Sequence, residues 1–379
     1  MSPTTLDRPA STVVDAERAP WRRRALEALC AVDSTTGTED RLLPILTDLL
    51  RGLGAKVQLQ RVDGRRANLL ARWPDPWARP PRLLLTTHLD TVPPFRPPRA
   101  IEGGLAGRGT CDAKGQIVAQ LAAIRRLLAA GERRFAWLGV IGEETDGAGA
   151  AAALDWSELT HGYECVILGE PTGNRLASGQ KGYLHVELRC RGRRAHGADP
   201  MAADPRRGGS AIWRLHRWLR DVRDLPARQD SRFGRESWNL GRIEGGEAVN
   251  VVAGEARAEL AVRTVPGSTF AADARRLAPV DAEVEILSED PPMAFAPVGG
   301  WPSERSCEAV GFGSDAPRLA ELATRDAEGR PRIVLLGPGS IAVAHTDDEH
   351  LLDVDLGDGI DTLVELCRHL LARPSGGGS

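Results

Sequence analysis

The sequence predicts an α/β protein: a mixed, largely parallel sheet flanked by helices, interrupted by a smaller inserted α+β domain. Short apolar runs bounded by turn residues alternate with segments whose apolar residues recur at helical spacing, the signature of right-handed β-α-β units. Near Ser178 the pattern changes to apolar-polar alternation, and after the Pro-rich stretch Pro291–Pro302 the first style returns. The reading is therefore a two-piece domain over 20–177 and 292–379, an inserted domain over 178–291, and a flexible tail over 1–19.

Element by element, Trp21–Val32 and Glu39–Gly52 have helical spacing, and Lys56–Val62 with Asn68–Trp73 read as paired strands. Arg82–Thr87 is a short apolar strand. Gly115–Ala130 reads as an amphipathic helix closed by Gly131, the residue type that best takes a left-handed C-terminal cap. Phe135–Ile141 and Glu164–Leu168 are further buried strands, with an Ala-rich helix through Leu154 between them. In the insert, Gly182–Arg191, Trp238–Ile243 and Ala256–Arg263 alternate as half-exposed strands of an antiparallel sheet, with a helix over Gly209–Val222. Ile333–Leu336 and Leu356–Leu371 complete the first domain as strand and helix, and 374–379 reads as a flexible end.

Length and composition agree with this organisation. At about 150 residues per domain, 379 residues suit two to three domains or one large domain with an insert. With 49 Lys+Arg against 52 Asp+Glu and only short basic runs such as Arg22-Arg23-Arg24, nothing points to nucleic acid. No stretch has the length and apolarity of a membrane span, and Met1–Pro20 lacks an apolar targeting core. The 6 cysteines are scattered without a Cys-x-x-Cys pair, which reads as reduced thiols in a cytoplasmic protein.

In open α/β sheets, ligands gather beyond the carboxyl ends of the strands. There the sequence places His88-Leu89-Asp90, Gly142-Glu143-Glu144, Gly169-Glu170-Pro171 and, past Gly337-Pro338-Gly339, His345; Asp112 stands just before the long helix. Each has an ordinary structural explanation. A His-x-Asp pair can be a local hydrogen bond, Asp112-Ala-Lys-Gly a helix start, Glu143-Glu144 a solvated loop, and Thr346-Asp347-Asp348-Glu349 a helix-capping sequence. Taken jointly, imidazoles and carboxylates at successive strand ends suit divalent ions with N/O ligands, zinc above all. Because neighbouring residues leaving a strand point to opposite sides, Glu143-Glu144 can supply both a ligand and a proton shuttle.

These segments resemble the aminoacylase, acetylornithine deacetylase and carboxypeptidase-G family of dinuclear metallohydrolases. The matching stretches are LLLTTHLDTVPP (83–94), GRGTCDAKG (107–115), VIGEETDGAGA (140–150), ILGEPTG (167–173), RRAHGADP (193–200), NVVAGEARAELAVRTVPG (250–267), FGSDAPRL (312–319) and GPGSIAVAHTDDEH (337–350). They follow the family's order and cover almost the whole chain from Trp21. The resemblance implies two divalent ions, zinc or cobalt. His88 and Glu170 would each take a metal-side position, Asp112 would bridge, and Glu144 and His345 would complete the second ion's shell. It implies Asp90 as the residue orienting His88, Glu143 as general base, and His196 as an oxyanion-steadying residue reaching a partner subunit's site. Arg263 and, more weakly, Asn250 would bind the substrate. The sequence departs from the family pattern at Gly197, where Ser or Ala is usual after Ala-His, and at Ala253, where proline is usual.

The implied reaction is hydrolysis of an amide bond beside an amino acid that carries a free carboxylate. The motif wording favours an acetylornithine deacetylase-like enzyme acting on an N-acyl amino acid. The alternative is a dipeptidase or carboxypeptidase acting on short peptides, and a third reading is an inactive metal-binding scaffold. By the same resemblance the insert is a lid and a homodimer surface, with an edge strand such as Gly182–Arg191 pairing with its twin.

Overall fold

Leu83–His88 becomes an inner strand of an eight-stranded sheet, with every residue buried. The computed structural model that shows this describes residues 19–76, 78–159, 162–204, 206–207 and 209–372. The expected tail, up to residue 18, and the expected flexible end from Pro374 lie outside the described residues.

Strand order across the sheet is Lys56–Asp63, Arg66–Arg72, Phe135–Val140, Leu83–His88, Cys165–Leu168, Ile333–Leu335, Leu176–Ala177 and Ser306–Cys307. The strands from Phe135–Val140 to Ile333–Leu335 are mutually parallel, while Lys56–Asp63, Arg66–Arg72 and Leu176–Ala177 pair antiparallel. The parallel strands read as unbroken apolar runs because both their faces are covered. Each Leu, Ile, Val or Phe buried in this way contributes about 1.5–3 kcal/mol relative to exposure.

The helix expected to be amphipathic, observed as Lys114–Ala129, is instead buried from Lys114 through Ile124. It packs against the sheet, the helix Ala19–Cys30 and the helix Asp353–Leu371. Its polar side chains therefore bond inside the fold, Gln116 Oε1 excepted. Gln120 Nε2 donates to the Thr86 carbonyl at 2.8 Å, and Gln120 Oε1 accepts Trp137 Nε1–H at 2.8 Å. Gln116 Nε2 donates to the Cys111 and Pro338 carbonyls, and Lys114 Nζ donates to the Val32 carbonyl at 2.7 Å. Each such group would cost about 1–3 kcal/mol if buried without a partner.

The chain divides into two compact units. The first holds the described residues of Met1–Ala177, Phe295–Ser306 and Arg318–Ser379; the second holds Ser178–Ala294 and Cys307–Pro317. The sequence reading ran the first domain unbroken from 292, yet Cys307–Pro317 is bonded into the second unit. Val310 N–H donates to the Gly179 carbonyl at 2.9 Å, Lys181 N–H donates to the Val310 carbonyl at 3.0 Å, and Ser314 Oγ meets Gln180 Oε1.

The second unit is built on a four-stranded antiparallel sheet ordered Ser237–Gly245, Glu255–Thr264, Gly182–Arg191, Ala282–Asp290. Leu184, Val186, Leu188 and Cys190 alternate onto the face covered by Leu215, Trp218 and Val222 of the helix Ala211–Arg223. Gly182–Arg191 is paired on both sides, along its length with Glu255–Thr264 and Ala282–Asp290. It is therefore not an edge strand. Apolar-polar alternation reports one buried face and says nothing about lateral neighbours. The edges are Ser237–Gly245 and Ala282–Asp290, and the former exposes Leu240 and Ile243. Among the described residues, no helix is long and apolar enough to cross a membrane.

Candidate active site

In the first unit the strand ends converge as the topology requires. His88 closes its strand and is 2% exposed, its ring held between two groups. Nδ1 lies 3.0 Å from the Asp90 main-chain carbonyl, and Nε2 lies 2.9 Å from Asp112 Oδ1. The other Asp112 oxygen, Oδ2, lies 3.3 Å from His345 Nε2, which is also 3.0 Å from Glu144 Oε1. One carboxylate thus faces two imidazoles, one with each oxygen. Ligand atoms of His88, Asp112 and Glu144 lie within 4.8 Å of one another. Glu170, buried at the end of the neighbouring strand, stands outside that grouping, although its charge is close enough to help raise the pKa of the buried Cys111 thiol.

Local backbone places each group. The strand Phe135–Val140 runs into a turn in which the Thr145, Asp146 and Gly147 amides return to the Gly142 carbonyl. That turn presents Glu143 and Glu144 beside His88, and the Glu143 charge contributes to raising the His88 pKa. Asp112 ends a tight turn after Gly109, and the peptide that follows it is cis. His345 has φ +65°, the left-handed conformation, which costs a residue with a β-carbon about 1–2 kcal/mol.

The charges are strongly coupled. Burial disfavours a charged His88, but its contacts with Asp112 and Asp90 outweigh this and hold its pKa well above the ordinary value. Asp112 and Glu144 raise His345 to about 10. Burial would raise Asp112 as well, yet His345 and His88 hold it far below the usual carboxylate range. Glu144 is pushed up by burial. Imidazole nitrogens that stay protonated only because carboxylates surround them are nitrogens a divalent cation can claim, since it replaces the proton as the counter-charge.

Asp90 does more than the sequence suggested. Its carboxylate lies 3.5 Å from His88 Nδ1, farther than its own carbonyl, and its oxygens accept the Glu143 and Glu144 amides, each at 3.1 Å, and the Thr36 hydroxyl at 2.8 Å. Thr36 was not picked out in the sequence. Nor were Arg108 and Glu349. The Thr346–Glu349 segment caps no helix: the next one begins at Asp353, and Glu349 turns inward to Arg108 and to the turn that carries Asp112.

The remaining sequence candidates belong to the second unit. His196 lies exposed in the two-residue strand Ala195–His196, paired with Val251–Val252, and its Nδ1 accepts the Ala198 amide at 3.1 Å. Gly197 N–H donates to the Asn250 carbonyl at 2.7 Å, so His196 and Asn250 are neighbours along the backbone ladder. A β-carbon on Gly197 would stand 2.9 Å from that carbonyl oxygen, which explains glycine where the family pattern has Ser or Ala. Nothing in the structure explains Ala253. Arg263 pairs in register with Tyr183 and lies with its guanidinium 4.8 Å from the centre of the Tyr183 ring.

Residues 84–369 match the model of the peptidase family M20/M25/M40. The chain belongs to that family. It is similar to a probable carboxypeptidase of Uncinocarpus reesii, at 31% identity over 91% of this chain and 86% of that one. Its fold is similar to that of the aminopeptidase PepT of Bacillus cereus, with a TM-score of 0.71, 22% identity, and 93% and 99% of the two chains covered. It is also similar to the Bacillus subtilis YXEP protein, described as a dinuclear metal-binding peptidase of the M20 family, with a TM-score of 0.66, 13% identity, and 94% and 99% covered. The M20 chain described here is accordingly an enzyme, a metal-dependent peptidase or amidohydrolase.

Proposed function

We propose that this M20 enzyme hydrolyses the amide bond next to an amino acid with a free carboxylate, using two divalent ions. His88, Asp112, Glu144, Glu170 and His345 would hold them. One observation carries the reading: Asp112 directs Oδ1 at the His88 imidazole and Oδ2 at the His345 imidazole, while Glu144 shares the His345 nitrogen. The donor set of imidazole nitrogen and carboxylate oxygen fits zinc, with cobalt as a substitute. When bound, the ions would supply Lewis acidity at the scissile carbonyl and make a water acidic near neutral pH.

Glu143 is the general base. Its main chain is fixed by Asp90, and its carboxylate would take the water's proton and return it to the leaving amine. His196 steadies the oxyanion, in trans if the enzyme is a homodimer. Arg263 grips the substrate carboxylate, with Asn250 assisting; the stacking of Arg263 on Tyr183 supports this by restricting the guanidinium's orientation. The exposed edge Ser237–Gly245, not Gly182–Arg191, is the strand proposed to meet a second copy. The second unit would then be both lid and dimer surface, and the location cytoplasmic.

Of the two substrate classes, the probable carboxypeptidase among the relatives favours a short peptide cleaved at its C-terminal residue. An N-acyl amino acid, the deacetylase-like reading, is the second. The metal-binding residues serve both, so the acyl side of the pocket decides. The test is amine release from a panel of dipeptides, tripeptides and N-acetyl amino acids by chelator-stripped protein, with and without added zinc or cobalt. Metal-restored cleavage of peptides is the expected result. Cleavage confined to N-acetyl substrates would reverse the order of the two classes, and silence with metal bound would point to an acyl group outside the panel.

A further inference from the structure

We infer that the buried Arg108–Glu349 pair is a positioning device that fixes the spacing between Asp112 and His345 and so sets the affinity of the centre for its ions. The inference rests on the metal-centre reading above. Arg108 and Glu349 are each 1% exposed, and Arg108 Nη1 donates to Glu349 Oε2 at 2.6 Å. The other oxygen, Oε1, accepts the main-chain amides of Gly109, Cys111 and Asp112 at 2.9, 3.1 and 3.1 Å. Arg108 Nη2 reaches the His345 carbonyl at 3.3 Å.

The pair therefore ties the backbone of Asp112 to the backbone of His345, residues whose side chains meet at 3.3 Å although they come from different sequence segments of the first unit. Stability is a poor explanation for such a pair. Desolvating two ions can cost as much as their attraction returns, and apolar replacements of buried pairs are often no less stable. The partners of this pair are informative instead. Glu349 organises the amides of the turn that aims Asp112, and Arg108 holds the carbonyl of a histidine in a left-handed conformation. A displacement of either ligand by a fraction of an ångström would be felt in metal affinity, because groups that orient metal ligands typically govern about 10- to 100-fold of it.

Glu349→Gln tests the tie with little change of shape. The amide can point its oxygen at the turn or at Arg108, and either way its NH2 must face donors. Arg108→Lys is the second variant: it keeps a cation for Glu349 and removes the fork that reaches His345. Chelator-stripped wild type and both variants are titrated with Co2+, followed by its visible absorption and by calorimetry, with thermal unfolding of the metal-free forms measured in parallel. The expected result is a cooperative melt for the metal-free variants and a Co2+ affinity about 10- to 100-fold below wild type. A purely structural pair would lower the melting temperature and leave the Co2+ affinity of the folded protein unchanged, and that result overturns the inference. If Glu349→Gln does not melt cooperatively, Arg108→Lys decides by the same criterion. Wild type that binds no Co2+ would instead overturn the metal-centre reading itself.

Discussion

Asp90 Oδ1 accepts the main-chain amide of Glu143 at 3.1 Å, so the segment just past the strand Leu83–His88 also holds the main chain of the proposed base in place. The partner oxygen, Oδ2, does the same for Glu144 and also accepts the Thr36 hydroxyl. Asp90 is fully buried, and its pKa stays low despite burial because of these donors and His88.

Replacing Asp90 by Ala is expected to strip two amides and a hydroxyl of their acceptor at once. Each buried group left unpaired costs about 1–3 kcal/mol. Urea unfolding should show a loss of that order, accompanied by a fall in kcat. Thr36→Val, which removes one hydrogen bond and keeps the carboxylate, should cost about 1 kcal/mol. Equal effects from the two variants would contradict the arrangement.

Glu143→Gln should fold and bind metal as wild type does, because Glu143 is proposed as base and not as ligand. Turnover should drop by about 10²- to 10⁴-fold, the usual worth of a positioned general base. Steady-state kinetics beside metal analysis of the same preparation checks both halves, and full activity would remove Glu143 from the mechanism.

The metal-free protein should lose stability as pH rises. Asp112 and Glu144 raise His345 from 6.5 to about 10. A base whose folded pKa exceeds its unfolded value stabilises fully below the latter and loses that contribution as pH rises through the former. The window is therefore pH 6.5 to about 10. Urea midpoints of chelator-treated protein across that range should fall, whereas zinc-loaded protein, in which the cation replaces the proton, should hold its midpoint. A flat profile for the stripped protein would contradict the coupling.

Gly115→Ala is expected to destabilise, although alanine is the better helix former. A β-carbon there would run into the Thr110 carbonyl oxygen and sit 2.7 Å from the Leu351 side chain. Overpacking of this kind typically costs about 1–3 kcal/mol, and because it pushes on the Asp112 turn it should weaken metal binding as well. Thermal melts and Co2+ titration measure the two effects separately.

The legibility of this site in the sequence follows its physics. His88, Glu143, Glu144 and Glu170 could be found because apolar runs mark strands and topology puts ligands at their carboxyl ends. Glu349 was hidden by its own neighbours: Thr346-Asp347-Asp348-Glu349 has the composition of a helix cap, and only the folded chain brings Arg108 and three amides to it. Main-chain donors carry no sequence signature, so the second task of Asp90 was equally invisible. Gly182–Arg191 showed its buried face through alternation but not its flanking strands, since lateral pairing leaves no trace in which residues are apolar. Gly115–Ala130 has amphipathic spacing, and that its polar Gln116 and Gln120, like Lys114 before them, lie buried is visible only in their partners in the folded chain.

The most direct test of the central claim compares wild type with Asp112→Asn after stripping and reloading with zinc, measuring ions per chain and cleavage of one short peptide. The amide retains one oxygen and cannot face two cations as a carboxylate does. Wild type should bind two ions per chain and regain full cleavage, while Asp112→Asn should bind fewer and remain inactive. An Asp112→Asn variant that takes up two ions and cleaves at the wild-type rate would contradict the shared carboxylate on which the account stands.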